Sequence, residues 1–182
     1  MKRFIVLFVL LTFAASGAFA MEKTAGFSGV FDASFAGGDG WSVNRTSLGI
    51  IGFFGLSKYF EANLGFLINT SADGKSNGYS YSATKTNRFL IGLYFKYPFV
   101  ISDKFVVFPT AGVDFQYWID NDSSTIHYIW PRAGAGVDYF LNQRMFLRGQ
   151  FIYGVGIPVT GDSSHINYVH GPQIKIGLGW MF

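Results

Sequence analysis

Three histidines are the residues of this sequence best suited to general acid–base chemistry. His127 and His165 lie in polar stretches, and His170 lies where a later apolar stretch begins, with Asp122-Ser123 and Asp162-Ser163 nearby. A histidine can activate a serine hydroxyl as a nucleophile when a carboxylate orients it in space. Polar loops bring such residues together by chance, and these spacings match no catalytic or metal-ligand motif. We therefore predict no enzyme activity, no metal site and no cofactor.

Charged residues offer a second kind of chemistry, because several of them recur on the polar side of alternating apolar stretches. Four acids and five bases share this pattern, so they can neutralise one another if they face one interior. They are Asp32, Glu61, Arg88, Lys96, Asp114, Arg132, Asp138, Arg148 and Lys175. The spacing predicts an interior charge network, with neighbouring interior glycines leaving room for the long side chains.

The N-terminal segment has the layout of a cleavable export signal. Lys2 and Arg3 precede an apolar run over residues 4–15, and Ala18-Phe19-Ala20 follows. The run is shorter than the roughly 20 residues that a spanning helix needs. We expect residues 1–20 to be a signal peptide and residues 21–182 to form one domain.

Charge and cysteine content exclude several other classes. Loss of the signal peptide leaves 12 basic and 11 acidic residues, a net charge of +1, so we predict no nucleic-acid partner. The chain contains no cysteine, which excludes disulfides, thiolate metal sites and a cysteine nucleophile.

The remaining sequence has the two-residue period of β-strands. Charged residues make up 14% of the chain, well below the roughly 25% of soluble domains. Eight alternating stretches of about 10 residues suit tilted strands that cross a bilayer. They cover residues 27–35, 46–56, 60–69, 88–97, 105–118, 132–139, 147–156 and 171–182, the fourth ending at Pro98.

The alternation has one apolar side without Asp, Glu, Lys or Arg. Unpaired backbone groups are not tolerated in hydrocarbon, so a membrane sheet must close on itself. We predict an all-β fold, an eight-stranded antiparallel up-and-down transmembrane β-barrel. A soluble lipocalin-like barrel with its apolar side inward is the competing fold.

Long polar loops and short turns alternate between these strands. The loop over residues 70–86 contains Asn77, Tyr79 and Tyr81, a mixture suited to adaptable recognition. Aromatic residues near the strand ends are typical of membrane-interface girdles. They are Trp41, Trp118, Tyr128, Trp130 and Tyr168 at the loop end, and Tyr59, Phe60, Tyr97, Phe105, Tyr139 and Trp180 at the turn end.

The final stretch, ending in Trp180-Met181-Phe182, resembles the closing strand of bacterial outer-membrane β-barrels. In that family the terminal Phe is part of the signal that the barrel assembly machinery reads, so the resemblance makes Trp180 and Phe182 the candidate assembly signal. The whole layout resembles small OmpA/OmpX-type barrels, with OmpW-like relatives. This implies an outer-membrane location, membrane lipid as a partner, short periplasmic turns and long extracellular loops.

Function follows less directly from the same pattern. We expect a structural or surface-binding, adhesin-like role, in which the extracellular loops contact a protein or surface ligand. The alternative is a narrow OmpW-like channel for small or hydrophobic solutes, for which Ile51, Phe53, Leu67 and Leu90 lie on the inward side. A lipid A-modifying enzyme that uses the histidines is a less favoured alternative, also implied by the resemblance.

Overall fold

The computed structural model describes residues 24–38, 40–83, 85–119, 125–159 and 169–182. The predicted signal peptide lies outside these residues, as do the polar stretches that contain Asp122-Ser123 and Asp162-Ser163 and His165. Within the described ranges, no helix is long and apolar enough to cross a membrane.

The described residues form long antiparallel strands and two short ones. The strands are β1 (Ala25–Gly38), β2 (Trp41–Gly55), β3 (Phe60–Ser76), β4 (Tyr79–Ser82), β5 (Asn87–Lys96), β6 (Phe99–Ser102), β7 (Phe105–Ile119), β8 (Thr125–Phe140), β9 (Met145–Pro158) and β10 (Val169–Met181).

The eight long strands close into a ring. Its order is β2, β1, β10, β9, β8, β7, β5 and β3, and β3 pairs again with β2. The first and last strands are hydrogen-bonded neighbours, with Phe27 opposite Trp180 and Asp32 opposite Lys175. The predicted eight-stranded antiparallel up-and-down barrel is confirmed, and the closed ring leaves none of its eight members as an edge of the barrel wall.

Alternate residues of each strand face opposite sides of this wall. Ile50, Phe54 and Phe151 are 62%, 59% and 57% exposed, whereas the charged residues of the opposite parity are mostly buried. A soluble barrel would hide the apolar side, so the lipocalin-like interpretation is wrong. The exposed apolar face is the one that a hydrocarbon environment favours.

Strand β3 continues beyond its predicted end at Asn69. An extra residue, Thr70, forms a bulge opposite the Thr46/Ser47 step of β2, and β3 then runs on to Ser76 and turns into β4. The predicted loop over residues 70–86 is therefore largely a β-hairpin. The bulge shifts the alternation by one residue, which hid this part of the strand in the sequence.

The fourth predicted strand ends before Pro98, as expected. Strand β5 stops at Lys96, and the N–H of Tyr97 makes a last bond to Pro109 at 3.2 Å, whereas proline cannot donate a ladder hydrogen bond. The sequence reading missed the separate short strand β6, which pairs with β7 from Phe99 opposite Val107. The β-branched and aromatic residues after Pro98 favour strand.

Candidate functional site

The lumen of the barrel contains a hydrogen-bonded charge network in the half nearer the hairpin β3–β4. Arg88 Nη2 donates to Asp32 Oδ1 at 2.5 Å and to Ser47 Oγ at 3.0 Å. Gln173 donates to the other oxygen of Asp32 and accepts from Arg132. These bonds join strands β1, β2, β5, β8 and β10 across the barrel.

A second carboxylate extends this network along the lumen. Asp114 Oδ2 lies 2.9 Å from Arg132 Nε, and Asp114 Oδ1 accepts from the Tyr94 hydroxyl at 2.5 Å. Gln116 also donates to Asp114 and accepts from Trp118 Nε1 at 3.0 Å. Sequence reasoning missed the uncharged members, whose only signal was their inward parity.

A separate ion cluster occupies the end near the short turns. Arg148 binds Asp138 with two bonds of 2.7 and 2.8 Å, and its Nη1 also reaches Glu61 at 3.3 Å. Lys96 Nζ lies 2.5 Å from Glu61 Oε1. The sequence-predicted acids and bases thus meet in two clusters rather than in one network.

Lys175 lies between the two clusters. It is buried, and none of the ion pairs found among the described residues includes it. It lines a cavity of about 20 Å³ together with Glu61, Tyr94 and Arg148, enough for about one water molecule. Beside this cavity, Ile51 and Leu67 pack with Val30 and Leu90 as an apolar cluster, so these inward apolar side chains pack against one another.

Aromatic side chains close the lumen at both ends. At the turn end Phe53, Phe108 and Phe146 are at most 4% exposed, and the guanidinium carbon of Arg148 lies 4.9–5.6 Å from their ring centres. At the other end Trp130 is buried with Ala36 and Val169, and three half-buried rings pack there. Those rings belong to Trp41, Trp118 and Tyr128.

This placement corrects the predicted loop-end girdle. The guanidinium carbon of Arg45 lies 4.8 Å from the ring centre of Trp118, and that of Arg132 lies 4.8 Å from the ring centre of Trp130. These two rings therefore face the lumen and not the lipid. Trp118 and Trp130 share the parity of Asp114 and Arg132, which decides their direction. Tyr168 lies outside the described residues.

The turn-end aromatic residues do face outward. Phe60, Tyr97, Tyr139 and Trp180 are 37–45% exposed, and the rings of Tyr59 and Tyr97 stack at 5.4 Å. Such rings at the end of an apolar band match an interface girdle.

Several inward glycines leave room for the buried aromatic rings of the lumen. A Cβ at Gly136 would lie 2.5 Å from the Phe108 ring, and one at Gly179 would lie 2.3 Å from the Phe146 ring. The expectation that interior glycines make room for charged side chains applies at Gly92, whose Cβ would lie 2.4 Å from Asp114, and at Gly154, whose Cβ would lie 2.8 Å from Arg132. Phe108 and Phe146 thus each lie over a glycine of the neighbouring strand.

Arg45 is an inward-facing cation that the sequence reading missed. Strand β2 was predicted to begin at Thr46, but it begins at Trp41. Val43, Arg45 and Ser47 continue the inward parity, and Val43 and Ser47 are buried. That alternation was the feature of the sequence that could have placed Arg45 in the lumen.

The hairpin β3–β4 carries the three candidate binding residues. Asn77 and Gly78 have φ values of 48° and 85°, as a two-residue hairpin turn requires. Tyr79 is 82% exposed and Tyr81 is 43% exposed. A Cβ at Gly74 would lie 2.2 Å from the Tyr81 ring, so Tyr81 lies flat across β3 while Tyr79 projects freely.

The histidines do not form a shared site. His127 lies within β8 and not in a loop, contrary to expectation, and its ring lies 4.6 Å from that of Tyr117. His170 Nδ1 lies 2.7 Å from the Tyr153 hydroxyl. Within the described ranges, no three His, Asp or Glu side chains form a group that could hold a metal ion.

The chain end is bound into the barrel wall. Trp180 lies opposite Phe27, and the backbone N–H of Phe182 donates to Ala25 at 2.9 Å. The Phe182 side chain is 79% exposed on the turn-end rim, 6.0 Å from the Phe27 ring.

Comparison with known proteins agrees with this geometry. The family model described as outer membrane protein beta-barrel domain matches residues 5–182. No curated protein sequence matches the chain.

Three solved structures have a similar fold. Neisserial surface protein A is 14% identical with a TM-score of 0.59, covering 88% of this chain and 97% of that chain. OprG from Pseudomonas aeruginosa is 13% identical with a TM-score of 0.51, covering 89% and 96%. Ail of Yersinia pestis in complex with the heparin analogue sucrose octasulfate is 13% identical with a TM-score of 0.50, covering 89% and 100%. At these identities the likeness concerns the fold alone.

Proposed function

Because this chain belongs to the outer-membrane protein β-barrel family, we propose that it is a surface-binding barrel whose hairpin β3–β4 contacts an extracellular protein or surface ligand. The sequence resemblance to small outer-membrane barrels is confirmed by that family match. The barrel wall supports the hairpin, and the filled lumen serves stability.

The observation that carries this proposal is the contrast between lumen and hairpin. The lumen holds ion pairs between layers of aromatic rings, and its cavity measures about 20 Å³. Eight-stranded barrels are just wide enough for side chains to fill them. The hairpin, by contrast, presents Tyr79 and Tyr81 to solvent, and tyrosine gives large contact area at low conformational cost.

The names of two neighbours are compatible with this role. One is a Neisserial surface protein, and the other is an attachment invasion locus protein bound to a sulfated sugar analogue. A protein or a glycan is therefore a reasonable class of ligand for this hairpin. We propose no enzyme activity, since the described histidines pair with tyrosines and lie on separate strands.

Export and assembly complete the proposal. Residues 1–20 act as a cleaved signal peptide, and the barrel assembly machinery inserts residues 21–182 into outer-membrane lipid. Trp180 and Phe182 form its recognition signal, because they lie on the exposed seam between β1 and β10.

The test removes the hairpin while preserving the barrel. Residues 73–82 are replaced by Asn-Gly, since Ala83 N–H already donates to Ala72 at 3.0 Å and a two-residue turn can join them. We expect an unchanged heat-modifiable band on detergent gels, because hairpin residues contribute little to the core. Binding to arrays of extracellular proteins and glycans should be lost.

A matched pair of variants locates the contact on the hairpin. Tyr79→Ser/Tyr81→Ser should reduce array binding as the deletion does, whereas Ser80→Ala/Ser82→Ala on the other face of the same strand should retain binding to the protein array. Equal binding by the parent and the shortened chain would contradict the proposal, as would a parent that binds neither array.

The channel alternative is tested by planar-bilayer recording. We expect the purified barrel to show no steady large conductance, because the two ion clusters and both aromatic layers obstruct the lumen. Steady conductance from the monomer would favour a channel for small solutes.

A further inference from the structure

The outward face of the hairpin region is polar over two complete rows of residues. Directly opposed residues of antiparallel strands share a face. Across β2, β3 and β4 the first row is Ser42, Lys75 and Ser80, and the second is Asn44, Asp73 and Ser82. Tyr79 and Tyr81 lie on the opposite face, opposite Ser76 and Gly74.

This polar face is continuous with the apolar face that contacts lipid. On β2, Asn44 has the same parity as Leu48 and Ile50, which are 53% and 62% exposed. The change occurs at Thr46, whose hydroxyl lies 2.9 Å from that of Thr70. Along β2 the apolar band therefore ends at Thr46, and the polar rows begin immediately beyond it on the same outward face, beside the exposed Phe35 of β1, which lies opposite Asn44.

The polar rows line a surface groove of about 440 Å³. Its walls combine hydroxyl, amide, carboxylate and ammonium groups from both rows, and Gly74 and Tyr81 complete the lining. The volume falls within the range of about 300–1,000 Å³ that is usual for ligand sites. The mixture of neutral donors and acceptors with one charge of each sign suits a polyhydroxylated ligand.

We propose that this groove binds the saccharide headgroup of a glycolipid in the outer leaflet of the membrane. The occupant must lie beside the barrel and just above the hydrocarbon band, where headgroups of that leaflet lie. Asp73 can accept hydrogen bonds from sugar hydroxyls, and Lys75 can contact a phosphate or carboxylate substituent. This proposal rests on the membrane orientation assumed in the proposed function, but it does not depend on the extracellular ligand proposed there.

The cysteine-free chain allows a test with single labels. Ser80→Cys places a fluorophore in the groove, and Tyr79→Cys places it on the other face of the same strand. Iodide quenching is measured in nanodiscs of phospholipid alone, with lipopolysaccharide, and with the same saccharide free in solution after deacylation. We expect lipopolysaccharide to lower quenching severalfold at position 80 and to leave position 79 unchanged.

The free saccharide should protect position 80 far less, because it is not concentrated at the membrane surface. In the Ser80→Cys background, Asp73→Asn/Lys75→Gln should raise the lipopolysaccharide concentration for half-protection about tenfold. A heat-modifiable band establishes that each variant is folded.

A label-free measurement guards against a fluorophore that itself blocks the groove. Lipopolysaccharide retained per barrel after gel filtration is compared between the unlabelled parent and the variant Asn44→Ala/Asp73→Asn. We expect the variant to retain severalfold less.

Equal protection at positions 79 and 80 together with equal retention would overturn the proposal. Full protection by the free saccharide would assign the groove to a soluble glycan instead. A parent that binds neither array would contradict the proposed surface-binding role but would leave these results unaffected.

Discussion

Asp32 shows at the residue scale why the lumen tolerates charge. Its side chain is fully buried, and it accepts hydrogen bonds from Arg88 and Gln173. A buried charge that loses its partner is strongly destabilising, whereas removal of both partners is often tolerated. The pair therefore constrains substitution more than it contributes net stability.

A double-mutant cycle tests this interpretation. Asp32→Asn leaves Arg88 buried without a carboxylate, so we expect the free energy of unfolding to fall by about 3–5 kcal/mol. Asp32→Asn/Arg88→Gln should recover much of that loss. Urea unfolding in lipid vesicles measures both, and Asp103→Asn in an exposed turn serves as the control, with an expected change within about 0.5 kcal/mol. Additive losses in the double variant would show that charge pairing is not the cause.

The conformation of the hairpin β3–β4 depends on two residues of its turn with positive φ, Asn77 and Gly78. Gly78 has a φ of 85°, and nothing lies within 4 Å of a Cβ built there. A substitution at this position therefore meets no steric neighbour but must adopt a backbone region that L residues disfavour. The bulge at Thr70 keeps Ala72 and Gly74 inward, with Asp73 and Lys75 outward.

Gly78→Val should loosen the hairpin without unfolding the barrel. We expect a local cost of about 1–2 kcal/mol from the left-handed backbone, seen as faster amide hydrogen exchange at residues 73–82. Asn77→Gly is the matched control, because glycine accepts the φ of 48°. Exchange that is equally slow in both variants would mean that packing of Tyr81 on Gly74, and not the turn, holds the hairpin.

Closure of the ring is the property of the whole molecule on which the other features depend. The seam joins β1 to β10 near the chain end, where Phe27 lies opposite Trp180. Phe182 adds one further backbone bond to Ala25 but leaves its ring exposed. Its side chain therefore contributes little to the folded barrel, as its proposed role as an assembly signal requires.

Deletion of Phe182 separates these two roles. We expect slower insertion and lower surface levels in cells, while the purified variant refolds in detergent to the same heat-modifiable form. Surface labelling after pulsed expression measures the first effect, and gel mobility measures the second. Phe182→Tyr keeps an aromatic ring and should retain assembly; normal surface levels after deletion would contradict the assembly signal.

The amino-acid sequence by itself determined the parity of the eight long strands and the closed fold. Alternation is a local property, and Asp32, Asp114 and Arg132 appear on the inward side wherever the strand is regular. The apolar, uncharged opposite side then requires a closed membrane sheet, because unpaired edges are not tolerated in hydrocarbon.

Only the tertiary structure decided which inward groups meet and where the alternation changes phase. Lys175 and Asp32 are neighbours across the seam, yet Asp32 pairs with Arg88 from β5, because side chains span the narrow lumen. The sequence also could not reveal the polar rows beside Lys75. Those features depend on cross-strand register and on the bulge at Thr70, which arise only when distant strands pair.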